Sequence, residues 1–173
     1  MDRAPGGTTS SAAYAAIVKE GGDLYLQTPT TTRLIDTGVD PRVAISPDER
    51  QLVYAKQGFV QETDLWTVAL PDGIPTQLTD WRGSEDRPTF SPDGARLVFV
   101  SGFTGVASVY VVDHPGTGIV AREHARQVTN ANLGPKRPGF APKNFVPPPT
   151  GTDYAWTGDN LTWNADGLRT VTP

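Results

Sequence analysis

Two histidines, His114 and His124, bracket a stretch that also carries Asp113 and Glu123. Imidazoles with carboxylates form the donor set for a divalent metal, and a histidine with a serine and an aspartate forms the set for nucleophilic hydrolysis. Neither chemistry finds the spacing it needs. No G-x-S-x-G turn is present to expose a serine nucleophile. The loop from Asp113 to Ala125 contains Pro115, Gly116 and Gly118, which predicts a mobile segment with solvated histidines. Gly116-Thr117-Gly118 is too short for a phosphate-cradling loop. The Asp-Gly pairs at Asp72, Asp93 and Asp166 are turn formers and lack calcium-loop spacing. Asn160-Leu161-Thr162 fits a glycosylation acceptor that matters only in a suitable secretory host. Glu85 and Asp86 are adjacent carboxylates of the type glycoside chemistry uses in pairs. They could line a channel mouth, or serve as loop acids that cap nearby backbone groups. No catalytic residue, cofactor or metal ligand is expected.

Bulk composition narrows the classes further. The 173 residues suit one domain, and 37% hydrophobic with 20% charged residues is globular, if apolar-poor. A net charge of −4 supplies no basic field for nucleic acid. Zero cysteines exclude disulfides, thiolate metal sites and cysteine nucleophiles. No apolar run reaches the ~18 residues a spanning helix needs. The start of the chain does not read as a signal peptide, because the apolar part from Ala12 to Val18 is short and interrupted by Tyr14.

The elements that would position any site come from an internal repeat. "DPRVAISPDERQLVYA" from Asp40 aligns with "EDRPTFSPDGARLVFV" from Glu85, with Ser46 and Ser91 45 positions apart. Asp64-Leu65-Trp66-Thr67-Val68 then aligns with Ser108-Val109-Tyr110-Val111-Val112, and Asp23-Leu24-Tyr25-Leu26 is an earlier copy. A last strand closes each unit at Thr32–Ile35, Thr76–Thr79 and Arg126–Thr129. Four short strands at a period of about 40–50 residues are the signature of a propeller blade. The chain is therefore expected to be all-β, with blades of four antiparallel strands over 13–36, 40–80 and 85–130 and another beginning at 136.

The turn chemistry fits. In Ser46-Pro47-Asp48 and Ser91-Pro92-Asp93-Gly94, proline presets the first corner, aspartate bonds its own turn, and Gly94 supplies a positive φ. Glu49 stands where Gly94 stands, which predicts a looser or differently shaped turn in the second blade. Residues 1–12 read as a disordered tail, 142–152 as a proline-rich linker, and 153–173 as a hairpin that is either a partial last blade or the start of a following domain. The first blade lacks its first strand.

The stretch "RPTFSPDGARLVFVSG", with "SVYVVD" and "RQVT" after it and the weaker copy at Val43 to Thr79, resembles the TolB-like propeller repeat over residues 13–141. That resemblance implies a β-propeller whose relatives are mostly protein-binding scaffolds of the bacterial envelope, periplasmic or extracellular. It also covers the non-catalytic propellers of prolyl-oligopeptidase-like peptidases and other enzymes. With two complete and two partial units, the chain falls short of the four or so blades a ring needs. A fragment of a larger chain, or a subunit completed by another copy, is expected.

A protein-binding scaffold leads on these grounds, with an accessory propeller of a larger hydrolase as the alternative. The expected partner is a protein or the remaining blades or domains, with no nucleic acid and no membrane span. Tyr54, Trp66, Phe99 and Tyr110 occupy equivalent strand positions and are expected in the core. Trp81, Phe103, Trp156 and Trp163 fall in loops or the tail and, with His114 and His124, form the candidate contact surface.

Overall fold

The structure, a computed structural model, describes residues 14–58, 62–104, 107–113 and 115–128, and the backbone of two strands at 160–164 and 167–171. The expected tail at 1–12, the first-strand copy from Lys136 and the linker at 142–152 lie outside the described residues. So do His114 and Trp156.

Three antiparallel sheets follow one another along the chain. The first holds β1 (Ala15–Val18), β2 (Leu24–Gln27) and β3 (Thr32–Asp36). The second holds β4 (Val39–Ile45), β5 (Gln51–Gln57), β6 (Thr63–Ala69) and β7 (Thr76–Gln77). The third holds β8 (Glu85–Phe90), β9 (Arg96–Ser101), β10 (Ser108–Asp113) and β11 (Ala125–Gln127). In each sheet, strands adjacent in sequence are adjacent in space, which is the blade order of a propeller. A separate hairpin pairs β12 (Asn160–Asn164) with β13 (Gly167–Val171), and β12 runs beside β8. That hairpin turns at Asn164–Gly167.

Packing between blades explains the strand sequences. Strands buried on one face alternate apolar and polar residues, whereas β5 and β9 are apolar at successive positions. Tyr54 packs toward Leu24, Leu26 and Ile35 of the first sheet. Its neighbours Val53 and Ala55 pack the other way, with Leu97, Phe99 and Tyr110 of the third sheet. Tyr54, Phe99 and Tyr110 are essentially fully buried, as expected for the core, and Trp66 is half-buried against the first seam. Each such side chain contributes about 1.5–3 kcal/mol of burial, so the seams hold the array together.

The first strands carry irregularities. β4 shifts register between Val39 and Val43, around Pro41, and β8 shifts between Asp86 and Thr89, around Pro88. A proline cannot donate to a ladder and is tolerated at such a bulge. Arg87, also in the bulge, has φ 58°.

The two hairpin turns have one geometry, which corrects the expectation of a looser second-blade turn. Glu49 N–H donates to Ser46 C=O at 2.8 Å, and Gly94 N–H donates to Ser91 C=O at 2.8 Å. Each serine hydroxyl donates to its aspartate, at 2.6 Å for Asp48 and 2.5 Å for Asp93. That bond, then the backbone N–H of Arg50 or Ala95, holds each carboxyl below its ordinary value. Glu49 adopts φ 56° to make this turn, close to the 71° of Gly94.

The long loop before β11 also departs from expectation. It is fastened to the second blade. Thr76 Oγ1 donates to Thr117 C=O at 2.9 Å, and Gln51 Nε2 donates to Gly116 C=O at 2.9 Å. Val120 N–H donates to Leu78 C=O at 2.8 Å. The insertion that breaks the repeat is a clasp along the outer strand of the neighbouring blade.

Candidate functional site

Among the described residues, no group of three or more His, Cys, Asp or Glu is arranged to hold a metal ion. No helix among them is long and apolar enough to cross a membrane.

Trp81 is the main correction to the candidate surface. It lies in the loop between β7 and β8, yet it is only 7% exposed. Its ring stands 5.3 Å from Phe99 and 5.5 Å from Tyr110, and its Nε1–H donates to Val120 C=O at 2.9 Å. A loop tryptophan becomes a core residue here because the clasp supplies the acceptor its indole needs.

Phe103 lies against this buried box and stays 39% exposed. Its ring meets Trp81 edge-on at 6.3 Å. It is the one exposed Phe, Tyr or Trp side chain among the described residues. Arg122, in a single turn of 3-10 helix at Arg122–His124, places its guanidinium 5.1 Å from the Phe103 ring, 5.5 Å from Trp81 and 4.6 Å from Tyr110. Desolvated cation–π contacts of this kind are worth about 1–2 kcal/mol. Arg122 Nη1 donates to Ala125 C=O at 3.0 Å. Sequence reading missed Arg122, because no local pattern shows an arginine reaching three rings on other elements. His124 is exposed two residues on. Trp163 falls on β12, of which only the backbone is described. Of the six candidates, the structure thus brings Trp81 and Phe103 together, with His124 exposed two residues after the arginine that braces them.

Behind Phe103 lies a second feature. Ser101 Oγ accepts from Phe103 N–H at 3.0 Å and donates to Glu85 Oε1 at 2.7 Å. Glu85 is 0% exposed, and among the described residues its Oε2 has no partner at hydrogen-bond distance. Burial pushes its carboxyl up to about 8; the Ser101 bond and, more weakly, the Thr79 hydroxyl oppose this, while the negative charges of Asp64 and Glu62 reinforce it. Asp64 is itself raised, by burial first and then by Asp80 and Glu62. Glu85 is therefore neither a channel-mouth acid nor a backbone cap, whereas Asp86 does cap, accepting from Arg87 N–H at 2.6 Å. The same place joins two blades. Thr63 Oγ1 donates to Glu85 C=O at 3.0 Å, and Thr63 N–H to Ser84 Oγ at 3.1 Å. A Cβ on Gly83 would stand 2.8 Å from Gly102 C, so only glycine lets these loops approach.

The outward face of the first blade is different again. Ile17, Tyr25 and Leu34 pair across β1, β2 and β3. Their counterparts Phe99, Tyr110 and Gln127 pair across β9, β10 and β11. There the two aromatics are buried against the preceding blade; Ile17 and Leu34 are 38% and 49% exposed.

This arrangement defines the class: successive antiparallel sheets, one of three strands and two of four, packed face to face in blade order are a β-propeller. Its resemblances are more particular. A protein assigned as TolB, from Agrobacterium tumefaciens, superposes with TM-score 0.53 and 25% identity, covering 68% of this chain and 42% of that one. TolB from Acinetobacter baumannii superposes with TM-score 0.51 and 17% identity, covering 70% of this chain and 36% of that one. The blades thus have the TolB-like propeller fold. An uncharacterised protein of Agrobacterium fabrum is 31% identical over 75 residues, which is 43% of this chain and a quarter of that protein's length. The chain spans less than half the length of each of these proteins. No family model matches it.

Proposed function

We propose that this chain is a non-catalytic propeller module that binds another protein, with Phe103 at the centre of the contact. The observation that carries this reading is the setting of Phe103: an exposed aromatic ring on a loop, held from behind by Trp81 and Arg122. Aromatic anchors that are already ordered lose little entropy on binding and dominate interface energetics. Loops on a rigid scaffold are where recognition concentrates. His124, exposed next to the bracing arginine, belongs to the same surface. The resemblance to TolB supports work in the bacterial cell envelope, on the periplasmic or extracellular side.

The β12–β13 hairpin fits the first two strands of a further blade. It turns at Asn164–Gly167 as the third blade turns at Ser91–Gly94, and β12 flanks β8 as β8 flanks β4.

The test is retention of envelope proteins on the immobilised chain. Wild type is expected to retain a specific protein, and Phe103→Ala to lose at least tenfold of it with a melting temperature lowered by no more than a few degrees. Equal retention by both contradicts the assignment.

A further inference from the structure

Two hydrogen bonds connect the backbone of Phe103 to a buried acid. Phe103 N–H donates to Ser101 Oγ, and the same hydroxyl donates to Glu85 Oε1. Glu85 in turn begins β8 at the seam where Thr63 and Ser84 stitch the second blade to the third. We propose that Glu85 is a proton-dependent latch: protonated, it keeps this seam closed and the Phe103 loop ordered; ionised, it loosens both.

The geometry gives the reason. A carboxyl with no exposure, whose second oxygen has no described group at hydrogen-bond distance and only the more weakly acting Thr79 hydroxyl besides Ser101, is tolerable when neutral and costly when charged. The charged groups on the surrounding elements make ionisation worse. Glu62 and Asp64 face it from the β6 side, and Asp80 lies beyond Asp64. The cations on the flanking strands are already engaged, and Arg82, three residues before Glu85, is exposed. Lys56 on β5 holds Asp36 at 2.7 Å, Arg42 on β4 lies by Asp40 and Asp86, and Arg87 pairs with Asp86. Among the described residues, no cation is paired with Glu85. Glu62 accepts from Gly83 N–H at 3.2 Å, so the acids are also tied to the loop that would move.

The sign follows from linkage. The folded-state value, about 8, lies above the ordinary 4.5, so between these values the folded chain holds a proton the unfolded chain has released. Stability from this group is fully present below the ordinary value and is lost as pH rises through about 8. The folding equilibrium constant changes by up to about tenfold per pH unit in that window.

This latch rests on the contact-surface reading only for its consequence, and its test needs no partner. Backbone amide NMR of Gly102 and Phe103, with urea unfolding, is followed from pH 5 to 9.5. Wild type is expected to show both amides titrating near pH 8 and stability declining up to that point. Glu85→Gln is expected to abolish both dependences. Asp64→Asn, which removes a facing charge, is expected to move the titration to lower pH. Titration of the two amides persisting in Glu85→Gln overturns the proposal, as does a flat wild-type profile. If Glu85→Gln does not fold, an unmoved midpoint in Asp64→Asn overturns it. A protein that titrates as expected yet retains no partner would sink the contact surface and leave the latch standing.

Discussion

Glu49 and Gly94 hold the same corner of two equivalent turns, at φ 56° and 71°. The main backbone and hydroxyl bonds around them correspond: serine N–H to the carbonyl five residues on, the N–H of that residue back to the serine hydroxyl, and the corner N–H to the serine carbonyl. The left-handed region costs a residue with a Cβ about 1–2 kcal/mol. Glu49→Gly is therefore expected to stabilise the chain by about 1 kcal/mol. Gly94→Ala is expected to destabilise by a similar amount, although its Cβ would meet only Pro47 Cδ at an ordinary 3.5 Å. Urea unfolding of the two variants checks both signs.

Trp81 and Phe103 touch but play opposite parts. Trp81→Ala removes a buried ring and the indole bond to Val120, and is expected to cost about 3–5 kcal/mol. Phe103→Ala is expected to cost no more than about 1 kcal/mol. Thermal unfolding separates them, and equal losses would contradict the division into core and contact residue.

Asp36 ties the first blade to the second. Its Oδ1 accepts from Lys56 Nζ at 2.7 Å and its Oδ2 from Tyr54 Oη at 2.8 Å. Burial alone would raise the carboxyl, but the bonds from Lys56, Tyr54 and Thr37 outweigh it and hold it below its ordinary 3.8. The stability it contributes is thus present above that value and lost as pH falls through the lower folded one. Asp36→Asn is expected to cost about 1–3 kcal/mol at neutral pH, and the gap to wild type is expected to close in strong acid. Paired unfolding curves at pH 7 and pH 2.5 measure this.

The blades were legible because their determinants are local. Ser46, Asp48, Ser91 and Asp93 find their partners within five residues, and β5 and β9 announce two-sided burial by their unbroken apolar runs. What was not legible depends on partners far along the chain. Trp81 is buried by Phe99, Tyr110 and Val120. The glycines and proline of the loop before β11 suggest mobility, but its acceptors meet Gln51 and Thr76 on another blade. Nothing beside Glu85 in the sequence marks Ser101 as its partner.

The most direct test of the contact surface places a photoreactive amino acid at position 103 and, as a control, at position 49 in the chain expressed in a bacterial envelope. Irradiation is expected to give one discrete protein adduct from position 103 and none from position 49. Absence of an adduct at 103, or the same adducts from both positions, would contradict a protein-binding surface centred on Phe103.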